Sequence, residues 1–171
     1  WENAMYQDPI VHQEQSTYQS IVLTKRGEQI RLFLNGHLQF ASVDEFRYHE
    51  ALVHPAMVLS NTRERILIIG GGDGLTAREV LKYPDVETVD LVDLDPAVTR
   101  LATRNYYLTA LNDNALSRPE VQVHHADGFS FLQEERQAYG VIIFDLPDPR
   151  EEGLAKLYSR EGYRLAKRVL S

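Results

Sequence analysis

Apolar and polar positions follow two different rhythms along this chain, and the change falls near residue 45. Before it, Tyr18, Ser20, Val22 and Thr24 alternate with Gln19, Ile21 and Leu23, a β-rich run without a helical period. Gly27 ends that run. Ile30, Leu32 and Leu34 then alternate with Arg31 and Phe33, Asn35-Gly36 follows, and Leu38 and Phe40 continue the pattern. Asn-Gly between apolar runs predicts a hairpin, because the tight turn needs positive φ at its centre. Residues 16–41 therefore read as a small antiparallel unit. Residues 1–15, polar and without a clear period, read as an arm.

Asp44 is placed to cap a helix over 45–59, in which Pro55 predicts a kink or two shorter pieces. From residue 63 strands and helices alternate. Strands are expected at 65–69, 87–92, 121–125 and 139–144, and helices at 76–82, 96–107, 128–135 and 160–170. Such repetition implies an α/β domain with a parallel sheet covered on both faces. The division expected is 1–45 for the arm and hairpin unit and 46–171 for the α/β domain. Four parallel strands leave one sheet edge without its next strand, an aggregation hazard. The first residue, Trp1, is no initiator methionine. Both features lead us to expect a piece of a longer protein.

Composition narrows the chemistry. The 171 residues are 43% hydrophobic and 25% charged, which suits a globular domain with its own core. With no cysteine, thiolate catalysis, disulfides and thiolate-bound zinc are all excluded. A net charge of −7 argues against a nucleic-acid partner, which would call for a basic surface. His12, His37, His54, His124 and His125 show neither H-x-x-x-H nor H-E-x-x-H spacing, so no metal site is expected. Arg100, Arg104, Arg164, Lys167 and Arg168 read as solvated helix faces.

The informative residues follow the expected strands. Gly70-Gly71-Gly72-Asp73-Gly74 joins a buried strand to a helix, where glycine permits a sharp turn and close approach of a ligand. No lysine follows it, and Asp73 would repel phosphate, so the loop is not built for ATP or a pyrophosphate. The second strand ends at Asp93, an acid ~20 residues past the glycines that can accept hydrogen bonds from ribose hydroxyls. Loop and acid together fit NAD or an S-adenosyl compound, and Asp73 favours the latter, whose tail carries an ammonium. Asp127-Gly128 ends the third strand, where Asp127 serves equally well as an adenine acceptor or a helix cap. After the fourth strand, Asp145-Leu146-Pro147-Asp148-Pro149 holds two carboxylates on a segment that its prolines forbid to be helical. Such a pair can bind an ammonium and take the proton that must leave an amine before nitrogen attacks carbon. The plainer alternative is a turn with two solvated acids.

Taken in order and spacing, Tyr18-Gln19-Ser20-Ile21, Leu34-Asn35-Gly36-His37-Leu38-Gln39, Asp44-Glu45, Tyr48-His49-Glu50, the glycine loop, Arg78-Glu79-Val80, Asp127-Gly128 and 145–149 resemble the spermidine synthases and related polyamine aminopropyltransferases. The resemblance implies a Rossmann-like parallel sheet of the S-adenosylmethionine-methyltransferase type, C-terminally truncated here, behind a small N-terminal antiparallel β unit. It implies aminopropyl transfer from decarboxylated S-adenosylmethionine to a diamine such as putrescine, with no tightly bound cofactor. It assigns Gln19, Gly70, Gly72, Asp73, Gly74, Asp93, Asp127 and Gly128 to the nucleoside, and His49, Asp73, Asp145 and Asp148 to the amines. Asp145 becomes the proton acceptor and Tyr48 its helper. Homodimers are expected from the same likeness. The Gly-Gly-Gly-Asp-Gly-Leu and Asp-Leu-Pro-Asp-Pro wording resembles a bacterial subgroup fused to an N-terminal membrane region, which implies a domain on the cytoplasmic face. Two alternatives remain: methyl transfer from S-adenosylmethionine, and a non-catalytic nucleoside or polyamine sensor.

Overall fold

The computed structural model describes residues 6–147 and 152–171. They fall into two compact units, one ending at Tyr48 and the other beginning at His49, and the division falls inside a helix.

The first unit is an antiparallel meander of β1 (Ile10–Gln15), β2 (Ser20–Arg26), β3 (Gln29–Leu34) and β4 (His37–Ala41), paired in that order. Asn35 and Gly36 take φ of 49° and 75°, the two positive values that the predicted hairpin requires. Ile21, Val22, Leu23, Ile30, Leu32 and Phe40 are buried. The arm is where expectation fails, because its second half is strand β1. An edge strand is held by backbone pairing to β2, and its side chains alternate only between half-buried and exposed, so a polar sequence suffices. Asp8, almost fully buried, pairs with Arg26 and Arg31 just ahead of it.

Helix α1 (Glu45–Leu59) is a single helix, not two shorter pieces. Ala51, whose carbonyl loses its partner to Pro55, lies with Pro55 on the exposed face, where water can take the bond.

The second unit runs β5 (Arg65–Gly70), α2 (Leu75–Val80), β6 (Thr88–Asp93), α3 (Pro96–Arg104), α4 (Tyr106–Leu111), a 3-10 turn at Ala115–Ser117, β7 (Val121–His125), α5 (Gly128–Glu134), β8 (Val141–Asp145), α6 (Glu152–Leu157) and α7 (Arg160–Val169). The four strands are parallel in the order β7-β6-β5-β8. Central β5 buries Ile66 to Ile69 almost completely, each worth roughly 2–3 kcal/mol. Ile66, Ile68, Val89, Leu91, Val141 and Ile143 pack on one face with Val53, Met57, Ala77 and Val80. Leu67, Ile69 and Val92 pack on the other with Leu132, Leu157, Leu165 and Val169. Because β6 and β8 flank β5 on opposite sides, chain direction across the sheet reverses there, and a crevice opens beyond the strands' carboxyl ends.

Two details differ from expectation. The helix expected over 96–107 breaks at Asn105, whose ψ of 123° ends α3 and whose side chain caps α4 through Tyr107 and Leu108 N–H. Helix α6 has no counterpart in the sequence reading. Arg168, exposed as expected, also donates from its guanidinium to the carbonyls of Leu132 and Gln133 at 2.6 and 3.1 Å, closing the end of α5. Nearby Tyr139 is fully buried, and burial together with the Asp90 and Glu135 carboxylates pushes its phenol well above its usual range.

Candidate active site

The site is assembled at the carboxyl ends of β5, β6 and β8. Gly70 pairs with Asp145, the last residue of β8, and the next residue's N–H donates to the Asp145 carbonyl at 3.1 Å. A Cβ on Gly70 would lie 2.0 Å from that carbonyl oxygen, so only glycine fits. At Gly72 a Cβ would lie 2.5 Å from Asp93 Oδ2, while its N–H donates to the same oxygen at 2.9 Å. The loop's glycines thus admit neighbouring strand ends, which brings three carboxylates to one rim. Gly74, left-handed, precedes the first residue of α2.

Asp93 also accepts from Asp95 N–H at 2.9 Å through Oδ1, so both oxygens are aimed by backbone. Burial raises its carboxyl above the ordinary value, against these two hydrogen bonds. Asp95 is buried and caps α3 by accepting from Ala97 N–H. Asp73 accepts from Leu75 N–H at 2.9 Å. Burial, followed by the nearby Asp145 charge, raises Asp73 to about 6, although His49 pulls the other way. Asp73 Oδ, Asp145 Oδ and an imidazole nitrogen of buried His49 all lie within 4.8 Å of one another. An imidazole with two carboxylates suits an ammonium and, by donor set, also a divalent cation. A second group, Glu50, His54 and Glu79, is also compact. There, however, fully buried Glu79 already meets Arg78, Lys82 and His54 at 2.9, 2.6 and 3.2 Å, so its charge is neutralised by the protein.

Two residues that the sequence reading missed hold this rim. Thr76 Oγ1 donates to Asp145 Oδ2 at 2.6 Å. Buried Asn112 donates from Nδ2 to the Asp73 carbonyl at 2.8 Å and to Ala102 O at 3.0 Å, tying the loop to the end of α3. No sequence spacing announces either contact.

Asp127 realises the cap reading: its Oδ1 accepts from Ser130 N–H and Oγ, both at 2.8 Å, at the start of α5. Gly128 opens that helix against Ile69. An open groove of about 680 Å3, lined by Asp127, Phe129, Lys156 and Glu161 among others, runs over α5 and α7 and does not include the carboxylate cluster. Gln19 and Tyr48 belong to the first unit, where Gln19 closes the turn before β2 and Tyr48 is half exposed on α1. Asp148 lies outside the described residues.

Fold and rim together define a Rossmann-like domain whose ligand edge is acidic. The sequence profile of the spermine/spermidine synthase domain matches residues 45–171, and the chain belongs to that family. The polyamine aminopropyltransferase of Oceanobacillus iheyensis is 54% identical over 170 residues, which cover 99% of this chain and 33% of that protein. Polyamine aminopropyltransferase 1 of Streptomyces coelicolor is 54% identical over 172 residues, covering 98% and 32%. The crystal structure of a spermidine synthase in complex with the transition-state analogue AdoDATO matches with a TM-score of 0.88 at 32% identity, over 95% of this chain and 55% of that one. Spermidine synthase from Thermotoga maritima matches with a TM-score of 0.85 at 32% identity, over 95% and 54%. The chain spans about a third of the length of the curated relatives it matches.

Proposed function

We propose that this chain is the nucleoside- and amine-binding domain of an enzyme that transfers an aminopropyl group from decarboxylated S-adenosylmethionine to a diamine such as putrescine. The products are spermidine and methylthioadenosine. The observation that carries the reading is the cluster of Asp73, Asp145 and His49, in which one carboxyl is raised to about 6 by burial and by its neighbour's charge. Such a group calls for a cation. An ammonium on the donor's propyl tail supplies it, whereas the carboxylate of ordinary S-adenosylmethionine would meet like charge.

In the reaction, Asp145 takes a proton from the acceptor ammonium. The freed nitrogen attacks the methylene carbon next to the sulfonium. The carbon–sulfur bond breaks, its electron pair returns to sulfur, and a neutral thioether leaves. Positioning and deprotonation supply the catalysis, because the sulfonium already activates the carbon. Asp93, aimed by the Gly72 and Asp95 amides, fits ribose hydroxyls.

No helix among the described residues is long and apolar enough to cross a membrane. In the same proposal the parent protein carries a membrane region outside this chain and holds this domain on the cytoplasmic face. The unmatched two thirds of the curated relatives leave room for it.

The test is to incubate the full-length protein with decarboxylated donor and putrescine and to look for methylthioadenosine. Product is expected with that donor only. No product across a panel of diamines would leave a sensor. Tighter calorimetric binding of ordinary S-adenosylmethionine would point to methyl transfer.

A further inference from the structure

The Thr76 hydroxyl is bonded to the Asp145 side chain, and the activity above does not account for it. It lies at the second position of α2, fully buried, and its Oγ1 reaches across to β8, 69 residues away in the chain. Here the hydroxyl bonds Asp145 Oδ2 at 2.6 Å, a short, charge-assisted contact in which the carboxylate accepts. The same oxygen is hemmed on its other side, since a Cβ on Gly71 would come within 3.0 Å of it. Backbone pairing to Gly70 fixes Asp145 from below. Asp145 is therefore held through its backbone by the glycine loop and at Oδ2 by the first turn of α2.

We propose that Thr76 is a positioning residue for the reaction. Its hydroxyl fixes the rotamer of Asp145 and stabilises the ionised carboxylate that receives the amine proton. This rests on the reading of Asp145 as the base. Two physical effects follow. A carboxylate that loses a donor is more readily protonated, so a larger share of enzyme is in the inactive form at low pH. A side chain that loses an anchor samples other rotamers, and the proton transfer loses its alignment.

The experiment compares wild type, Thr76→Val and Thr76→Ser in the full-length protein. Valine keeps the shape and removes the hydroxyl; serine keeps the hydroxyl. For Thr76→Val, kcat is expected to fall about tenfold, and the acid limb of kcat/KM for the amine, to which Asp73 and His49 beside Asp145 also contribute, to move to higher pH. The KM for the nucleoside donor should stay unchanged, and Thr76→Ser should restore both kcat and the limb. A residue that merely ties α2 to the sheet would instead lower stability and weaken donor binding without moving the limb, and that outcome overturns the proposal. A readout independent of turnover separates this inference from the function it rests on. The 13C carboxyl signal of Asp145, assigned by its loss in Asp145→Asn, should titrate at higher pH in Thr76→Val than in wild type. Identical titration overturns the role of Thr76 even if the enzyme is active. A wild type that forms no methylthioadenosine overturns the functional reading even if the titrations differ.

Discussion

Asp145 is held on its backbone and on its side chain by different partners. Its carbonyl accepts from Gly71 N–H and its Oδ2 from Thr76, while Asp73 and His49 reach the same carboxylate from the loop and from α1. A group held in this way changes little when its charge alone is removed. Asp145→Asn keeps the shape and loses the proton acceptor, so kcat should drop by roughly 10²–10⁴ while donor affinity barely changes. Single-turnover formation of methylthioadenosine, together with calorimetry for the donor, checks both halves. Turnover close to wild type would remove Asp145 from the role of base. Asp93 and Asp95 show a finer division at the same scale. Both are acids two residues apart, yet Asp95 is turned inward to cap α3 and Asp93 faces the loop. Only geometry separates them.

At the scale of elements, the segment that carries Asp73 is braced from outside. Asn112, just past α4, reaches the Asp73 carbonyl, a contact between residues 39 apart in sequence. Removing a buried amide that donates to two carbonyls should cost about 2 kcal/mol in urea unfolding for Asn112→Ala. Asn112→Asp is the sharper probe: it has the same shape and no donors, and it should destabilise at least as much as alanine. If aspartate is tolerated, the amide is not acting as a donor and the brace is misread. Elements with a strong period were legible in the sequence because burial imposes that period. The four parallel strands and most of their helices are cases in point. Strand β1 was hidden because an edge strand needs backbone partners more than apolar side chains. The break at Asn105 was hidden because a capping asparagine inside an amphipathic run looks like an ordinary polar position. Continuity of α1 through Pro55 depends on which face meets water, which no single-residue rule states. The acids of the site were legible for a different reason: Asp93 and Asp145 end strands and Asp73 lies just past one, and parallel strands end together. Thr76 and Asn112 were not, because their partners come from distant segments and their own positions look structural.

For the molecule as a whole, the acidic rim adds to a net charge of −7 and should tune stability to pH in an unusual direction. Asp73 rises from 3.8 to about 6 in the fold, chiefly through burial and then through the Asp145 charge. A carboxyl with a raised folded value favours the fold when protonated. Its contribution is therefore fully present below about pH 4 and is lost as pH climbs through about 6. The two values differ by enough to shift stability by about 1–3 kcal/mol after allowance for solvent screening. Other carboxylates titrate in the same range, so the informative quantity is the difference between wild type and Asp73→Asn. That difference should grow in favour of the variant between pH 4 and 7 and then level off, as read by urea unfolding at each pH. A saturating diammonium ligand should shrink it again, because the cation relieves the paired charge that the empty cluster must tolerate. A difference that stays flat with pH would mean that Asp73 ionises freely, and the cluster would lose its claim to be waiting for a cation.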